Sequence, residues 1–391
     1  MQEDIIISGF GSISCLGSEY YEIWNNYLTK KTRLSFKKIL NSKIPIGILD
    51  KNEKEKIIEI QRENKFYKRL DKSVLMSIFA SRKAIKSSNW KKSSKLSLNI
   101  GSSRGATELF EKYHKDFLNN KSSKLSPISS PNTSLGNIST WVAYDIGFKG
   151  FSFSHSITCS TALHSILNGI AWLKSGMSKR FIAGASEAPI TNFTISQMKS
   201  LNIYSNKLTK YPCQPFNLKN NQNTMVVSEG ASSFCLELQK KQNKKRVVKI
   251  AGYGYFNEKI SHNTSINKNG IGLYNTMKIA LNMANLNTVD CIITHAPGTI
   301  LGDKSEFNAI KKLFGKFIPR ITSNKHIMGH SFSNSGGSSI EMGIMMLKNN
   351  YFIDLPFETI FENKNLNSDL NSVMINSTGF GGNSVSIILT L

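Results

Sequence analysis

Short β-branched or apolar runs alternate with longer segments of helical periodicity along much of the sequence. Ile5 to Ser8 is followed by Gly9-Phe10-Gly11, a pattern typical of a strand and a tight turn. Asp71 to Ser87 carries its apolar side chains at helical spacing, and Leu96 to Ser102 again has the composition of a strand. Such alternation favours an α/β fold with layered architecture.

The lysine-rich run from Lys240 to Arg246 is the best candidate boundary within the 391 residues. Directly after it, Val247 to Gly254 repeats the opening pattern, a β-branched run that leads into Gly-Tyr-Gly. A chain of this length can bury most of its apolar surface and suits one large domain or two fused halves. We therefore predict two similar halves, residues 1–240 and residues 246–391.

The net charge of +24 comes from 50 Lys and Arg against 26 Asp and Glu, and a chain of this charge attracts polyanions. The basic residues are spread along the chain, and the densest region, Lys51 to Lys95, contains no recognisable nucleic-acid-binding motif. We therefore predict an acidic protein partner and no binding to nucleic acid.

No apolar run approaches the roughly 18 residues that a membrane-spanning helix needs. The start, Met1 to Asp4, is acidic, unlike the basic leader of a signal peptide. We predict no membrane insertion and a cytoplasmic location. The cysteines are scattered without a CxxC pair, which argues against a disulfide framework and against a metal site. They are Cys15, Cys159, Cys213, Cys235 and Cys291.

Cys159 lies where an extended segment, Ser152 to Thr158, meets a segment with the pattern of a buried helix. The backbone N–H groups at such a helix start face the thiol, and we expect them to lower its pKa and favour the thiolate. The same groups can stabilise an oxyanion. Taken alone, the position also suits a small buried core cysteine.

Two histidines follow predicted strands and lie beside glycines, where a functional group can be exposed on a rigid support. His295 follows Cys291 to Thr294, and His330 follows Gly329 and precedes a stretch rich in Ser and Gly. A structural role is the alternative for each histidine by itself. Gly379 to Gly382 forms a glycine-rich loop between two predicted strands, a context without the helix N-terminus that a phosphate site uses.

In this order the segments resemble the β-ketoacyl-[acyl-carrier-protein] synthases of the thiolase superfamily, of the Cys-His-His type. The resemblance covers nearly the whole chain. Besides Cys159, it is carried by Ile6 to Ser14, Gly147 to Phe151, Pro215-Phe216-Asn217, Ser228-Glu229-Gly230-Ala231, His295-x-x-Gly298-Thr299-x-x-Gly302-Asp303-x-x-Glu306, Lys325-x-x-x-Gly329-His330 and Gly379-Phe380-Gly381-Gly382.

The resemblance implies a thiolase-like fold of two similar halves in αβαβα layers, and a condensation that forms a carbon–carbon bond. Cys159 would hold the acyl group, and His295 and His330 would stabilise the enolate formed when a malonyl unit loses carbon dioxide. It also implies that Lys325 is an active-site lysine and that Phe380 is a gating aromatic whose N–H shares the oxyanion hole with that of Cys159. Thr299 and Gly381 would contact the substrate, and Glu229 and Glu306 would be structural acids.

Several positions depart from the family pattern. Ala296-Pro297 removes a pantetheine-binding hydroxyl, Ile157-Thr158 precedes the cysteine, and Thr378 stands where a Phe is common. Glu341 falls two positions later than usual. These changes leave the catalytic atoms in place and favour a specialised synthase, for a polyene pigment or a polyketide, over a housekeeping fatty-acid enzyme.

The resemblance implies no cofactor, because the substrates are carried on the phosphopantetheine arm of an acidic acyl carrier protein. It also implies a homodimer formed by continuing the central sheet, with a heterodimer with a related synthase subunit as the alternative. The first competing function is a non-catalytic subunit similar to a chain-length factor, although such subunits usually lack the nucleophile. A thiolase or a coenzyme A-dependent initiating synthase is the second, but Cys291 is not placed like a second thiolase cysteine.

Overall fold

The computed structural model describes residues 3–39, 41–90, 96–120, 125–217, 221–240, 247–262, 264–364 and 366–391. The strands are β1 Glu3–Ser14, β2 Ser35–Ile39, β3 Ser42–Ile46, β4 Leu96–Gly101, β5 Ser152–Phe153, β6 Arg180–Glu187, β7 Gly230–Lys240, β8 Lys249–Asn257, β9 Cys291–Ile293, β10 Arg320–Thr322, β11 Ser372–Thr378 and β12 Asn383–Thr390.

The helices are α1 Tyr20–Thr29, α2 Lys51–Glu63, α3 Lys72–Ser88, α4 Thr107–Asn120, α5 Ser129–Thr133, α6 Asn137–Asp145, α7 Thr161–Lys174, α8 Asn192–Ser200, α9 Ile271–Ala284, α10 Ile300–Phe314, α11 Lys325–Met328 and α12 Ser335–Asn349. Two 3₁₀ turns, Thr158–Ser160 and Phe332–Asn334, come directly before α7 and α12. We call them the Cys159 turn and the Phe332 turn. In the described residues no helix is long and apolar enough to cross a membrane.

Ten strands of the described chain form one sheet in the order β10-β9-β11-β12-β8-β1-β7-β6-β4-β5, while β2 and β3 form a separate hairpin. The order is the same in both halves when each is followed from its edge strand: β5-β4-β6-β7-β1 and β10-β9-β11-β12-β8. In each half the three strands nearest the edge are parallel, and the next two pairings are antiparallel. The halves join where Ile6 of β1 pairs with Lys249 of β8.

Helices separate and cover the two halves of the sheet. α7 and α12 contact each other, and each also contacts strands of both halves. α3 packs on β1 and β7 at one outer face, and α9 packs on β8 and β12 at the other. The layers therefore follow the order α-β-α-β-α, which confirms the predicted fold class. The boundary run proposed from the sequence lies mostly at residues 241–246, outside the described residues, so the two domain limits stay predictions.

The glycines of the opening pattern do not form a turn, so that part of the prediction is wrong. β1 continues through Gly9 and Gly11 to Ser14, with α3 lying directly on these residues. A Cβ atom at Gly9 would lie 2.6 Å from the carbonyl oxygen of Ala84 in α3, so only glycine allows this helix so close to the strand. Gly252 and Gly254 of β8 lie under α9 in the same way. The repeated pattern therefore marks a repeated strand–helix contact.

The middle layer brings the sites of the two halves together. α12 is buried from Ser335 to Leu347, and the largest apolar cluster joins residues of α7 and α12 to strands of both halves. Each of these helices begins after a 3₁₀ turn whose first residue is left-handed, Thr158 with a φ of 45° and Phe332 with a φ of 43°. Since α7 and α12 are neighbours, the two turns lie side by side at the same end of the layer.

Candidate active site

Cys159 is held in a strained turn by contacts from the glycine loop, Gly379 to Gly382. Thr158, the residue before it, is β-branched and left-handed, an uncommon combination that persists only where the surroundings enforce it. The Thr158 hydroxyl donates a hydrogen bond to the carbonyl oxygen of Phe380 at 3.2 Å, and the Ser377 hydroxyl donates to that of Cys159 at 3.1 Å. These bonds fix the direction in which the thiol points.

His330 lies within hydrogen-bonding distance of the thiol. Its Nε2 is 3.1 Å from Cys159 Sγ, and its Nδ1 is 3.2 Å from the hydroxyl oxygen of Ser335. The His330 backbone is held on both sides: its N–H donates to Val226 at 2.7 Å, and its carbonyl accepts from Ser228 at 3.0 Å. The ring is therefore anchored next to the nucleophile.

His295 completes the group from the second half of the chain. Its ring centroid lies 5.2 Å from that of His330, with the two planes at 88°. Glu306 of α10 accepts from the backbone N–H of His295 at 3.1 Å and of Ala296 at 2.8 Å, and from the Asn376 side chain at 3.0 Å. Glu306 thus supports the segment that carries His295, as expected of a structural acid.

Both imidazoles are neutral at neutral pH because they are buried. Burial lowers the pKa of His295 to about 3. Burial, the neighbouring His295 and the charge of Lys325 lower the pKa of His330 well below its usual value. A neutral imidazole has one donor nitrogen and one acceptor nitrogen, so His330 can accept the thiol proton at Nε2.

The resting sulfur is a thiol. Burial raises the pKa of Cys159 to about 12, with Glu187 acting in the same direction and Lys325 in the opposite one. The sequence-based expectation of a lowered pKa is therefore wrong for the resting protein, because enclosure of the sulfur outweighs the N–H groups at the start of α7. His330 Nε2, 3.1 Å from the sulfur, is the acceptor placed to take the thiol proton.

A cavity opens onto these three side chains. Thr299, Phe380, Pro297 and Glu258 belong to its lining. Its wall also includes apolar side chains, and these are Met198, Ile203, Met225 and Phe332. In the described residues no group of three or more His, Cys, Asp or Glu side chains is placed to hold a metal ion.

Comparison with known proteins identifies this arrangement. The family profile described as "Beta-ketoacyl synthase, N-terminal domain" matches residues 2–242, and "Beta-ketoacyl synthase, C-terminal domain" matches residues 247–355. The chain belongs to the β-ketoacyl synthase family. A relative, 3-oxoacyl-[acyl-carrier-protein] synthase 2 of Staphylococcus aureus (strain COL), is 26% identical over 412 residues, which cover 98% of this synthase and 97% of the relative.

Two solved structures share the fold of this synthase over its whole length. One is a type II PKS acyl-carrier protein in complex with its ketosynthase bound to the hexaketide, with a TM-score of 0.83, 20% identity and full coverage of both chains. The other is the ishigamide ketosynthase/chain length factor, with a TM-score of 0.86, 17% identity, and coverage of 100% of this chain and 99% of the other. At these identities the likeness supports the fold alone.

Lys325 lies beneath the reaction centre of the synthase and does not line the cavity. It is 1% exposed, and its Nζ donates to Asn324 Oδ1 at 2.7 Å and to the Ser339 hydroxyl at 3.5 Å. Burial lowers the pKa of Lys325 to about 8. It can therefore act on the cysteine and the imidazoles through its charge, without touching a substrate.

Two other residues predicted for the site, Glu229 and Gly381, do not line the cavity. Glu229 accepts from the Leu49 N–H at 2.9 Å and forms an ion pair with Lys72, so it anchors the segment whose Ser228 bonds to His330. Gly381, predicted as a substrate contact, does not line the cavity, whereas Gly379 and Gly382 do. Its two neighbours in the loop, Phe380 and Gly382, both line the cavity, and the substrate contact of Gly381 stays a prediction.

The sequence gives no signal for the apolar wall of the synthase. Met198 belongs to α8, Ile203 and Met225 follow in loop segments, and Phe332 lies in its 3₁₀ turn. Isolated apolar residues of this kind resemble any core residue. The Phe332 turn could have been noticed only by comparing the two halves, because it takes the place before α12 that the Cys159 turn takes before α7.

Proposed function

We propose that this synthase catalyses the decarboxylative condensation of an acyl group held on Cys159 with a malonyl unit, with His295 and His330 as catalytic partners. The observation that carries the proposal is the 3.1 Å contact between Cys159 Sγ and His330 Nε2, with the His295 ring 5.2 Å from that of His330. The family membership of the chain supports the same reaction class.

Acyl transfer begins when His330 Nε2 accepts the thiol proton and Cys159 Sγ attacks the thioester carbonyl of the incoming acyl group. The oxygen of the tetrahedral intermediate would be held by the backbone N–H groups of Cys159 and Phe380. The carbon–sulfur bond to pantetheine then breaks, and the leaving thiolate takes the proton back from His330. The acyl group remains on Cys159.

Condensation then uses the two imidazoles as donors. Loss of carbon dioxide from the malonyl thioester leaves an enolate, whose oxygen would accept hydrogen bonds from His295 and His330. One preorganised donor is worth about 3–4 kcal/mol in such a transition state. The Ser335 hydroxyl beside His330 Nδ1 can donate or accept, so it allows His330 to carry its proton at Nε2 for this step. The carbanion attacks the carbonyl carbon of the acyl thioester, the carbon–sulfur bond to Cys159 breaks, and the departing Cys159 thiolate takes a proton from solvent.

The substrates would arrive on an acidic acyl carrier protein. The net charge of +24 supports this partner, and one structural relative is a ketosynthase in complex with its acyl-carrier protein. We place no cofactor in the reaction, and we expect the protein to work in the cytoplasm. Fatty-acid, polyketide and aryl-polyene-type products all fit this chemistry.

We also propose a homodimer that pairs through β5, an edge strand of the sheet. The ishigamide ketosynthase/chain length factor supports a heterodimer with a related subunit as the alternative. Native mass spectrometry of the purified protein distinguishes the two: a dimer mass from this chain alone supports the homodimer. A monomer that dimerises only with a second synthase subunit contradicts it.

Intact-mass spectrometry with a panel of acyl carrier proteins tests the proposed function. We expect the wild type to gain the mass of the acyl group and Cys159→Ala to gain none. Cys235→Ala, which removes a buried thiol of β7, is the matched control and should be acylated normally. An unmodified wild type, with condensation appearing only beside a partner synthase, would instead support a subunit similar to a chain-length factor.

A further inference from the structure

Glu187, the last residue of β6, is a buried carboxylate surrounded by neutral donors. It accepts the Ser102 hydroxyl at 3.0 Å, the Ser103 N–H at 2.9 Å and the Ser103 hydroxyl at 2.5 Å. The Arg104 N–H donates at 3.1 Å and the Ser333 N–H at 3.3 Å. Because all five groups donate to its oxygens, the site suits the charged carboxylate. Among the described residues, no lysine or arginine forms an ion pair with it.

These donors come from two segments that border the reaction centre. Residues 102–104 follow β4, and the Ser102 N–H donates at 3.2 Å to His155 in the extended segment before Cys159. Ser333 belongs to the Phe332 turn, whose first residue is left-handed. The Phe332 ring lies 5.6 Å from the His330 ring and lines the cavity. One carboxylate thus ties both segments to the end of β6.

The charge of Glu187 also reaches the nucleophile. The titratable groups around Cys159 are His330, His295, Lys325 and Glu187. The two imidazoles are neutral, so the fixed charges are those of the lysine and the glutamate. Burial raises the pKa of Cys159 most, Glu187 acts in the same direction, and Lys325 acts in the opposite one.

We propose that Glu187 is a positioning residue. Its carboxylate accepts hydrogen bonds from residues 102–104 and from the Ser333 N–H, and so holds the Phe332 turn, with the Phe332 ring, against His330. The proposal rests on the function proposed for the Cys159–His330 pair.

The test compares two rates, that of Cys159 alkylation by iodoacetamide at neutral pH, followed by intact mass, and the kcat of condensation. Cys159→Ala identifies the modified site, since the other cysteines are buried. In Glu187→Gln we expect alkylation to be about threefold to tenfold faster, because the negative charge that opposes the thiolate is removed. Its condensation kcat should fall about tenfold, because one acceptor oxygen becomes an NH₂ group and the Phe332 turn loses its anchor.

Glu187→Asp separates charge from geometry. It keeps the charge but is shorter by one methylene, so we expect the wild-type alkylation rate together with a reduced kcat. Glu341→Gln is the matched control: burial raises the pKa of Glu341 to about 7, so its neutral form is already populated, and the side chain binds Tyr27. It should change neither measurement.

A wild-type alkylation rate in folded Glu187→Gln would overturn the proposal, as would wild-type condensation by Glu187→Asp. If the glutamine variant does not fold, the kcat of the aspartate variant decides. Alkylation needs no condensing activity. If Cys159 of the wild type is alkylated normally but is never acylated from a carrier, that result counts against the proposed function, independently of the Glu187 result.

Discussion

Burial determines the protonation state of several single residues in this protein. His295 and His330 are neutral because they are enclosed, and the same holds for His326, whose pKa burial lowers to about 3. The His326 Nδ1 lies 2.8 Å from the carbonyl oxygen of Ser323. His326 does not line the cavity. The effect of its burial on the free energy of unfolding can therefore be measured separately from catalysis.

We expect His326 to make the folded protein less stable as the pH falls. The unfolded chain binds a proton near the ordinary value of 6.5, while the folded chain binds it only near 3, so acid favours the unfolded state between these values. From about pH 7 to about pH 5 the free energy of unfolding of the wild type should fall by about 2 kcal/mol relative to that of His326→Asn. Urea titrations at both pH values measure this difference.

His262→Asn is the matched control, because its ring is exposed to solvent in the folded protein. Its stability relative to the wild type should stay nearly constant over the same range. A constant difference between the wild type and His326→Asn would show that burial does not hold His326 neutral.

Lys325 should produce the alkaline limit of activity. If its charge supports condensation, kcat falls as the pH rises through about 8, where the ammonium loses its proton. Ser339 lies 3.5 Å from Nζ, so Ser339→Asp places a carboxylate beside the lysine and should raise its pKa. We expect the alkaline limb of the pH–rate profile to move up by about one pH unit.

Ser339→Asn has nearly the same shape without the charge and should keep the limb near the wild-type position. The two variants differ only in whether the end of the side chain at position 339 is neutral or charged. Any change in packing therefore affects both variants alike. Identical limbs in both variants would mean that Lys325 does not set the alkaline limit.

At the scale of elements, the glycine loop and the Cys159 turn depend on close contact. A Cβ atom at Gly379 would overlap Thr158 Oγ1 and lie 3.0 Å from the backbone nitrogen of Cys159. Glycine is therefore required at residue 379, directly after β11, where the chain passes Cys159. The hydroxyl bonds from Thr158 and Ser377 complete this contact.

Gly379→Ala should reduce activity more than stability. The added methyl group pushes the loop away from Cys159, and we expect a loss of about tenfold to a hundredfold in kcat because displacements of this size misalign the reacting groups. Initial rates and thermal melting measure the two effects. Gly136→Ala, at a position where a Cβ atom meets nothing within 4 Å, is the control and should behave as the wild type. Unchanged kcat in Gly379→Ala would show that the loop can move without consequence.

At the scale of the whole molecule, the excess of positive charge should govern encounter with the carrier. Long-range attraction between a protein of charge +24 and an acidic partner is screened by salt, with a Debye length of about 10 Å at 0.1 M. Such attraction affects how quickly the partners meet and how they orient, and has little influence on the chemistry inside the cavity.

We expect the Michaelis constant for the acyl carrier to rise several-fold between about 50 mM and about 300 mM salt. An uncharged acyl-N-acetylcysteamine thioester reports the same chemistry without the carrier, so its Michaelis constant should respond little. A flat response with the carrier would remove electrostatic docking as the explanation of the charge.

Local patterns in the sequence predict a layered α/β fold, and the resemblance to the β-ketoacyl synthases adds the three candidate side chains that the structure brings together. Strand–helix alternation predicts layers because each element must bury its apolar face, and the Gly9 and Gly252 patterns repeat because a helix crosses the strand at both places. Cys159, His295 and His330 could be named because each lies within a short motif. Their convergence was a prediction that the contact between α7 and α12 explains.

Other properties depend on segments that are far apart in the chain. The neutral state of His330, the raised pKa of Cys159 and the position of Glu187 all result from enclosure by several elements, and no neighbouring residue in the sequence signals them. The sequence alone therefore determined which chemical groups are present and in what order. Tertiary packing decided the charge states of these groups and which side chains form the cavity wall, because desolvation and close contact depend on everything that surrounds an atom.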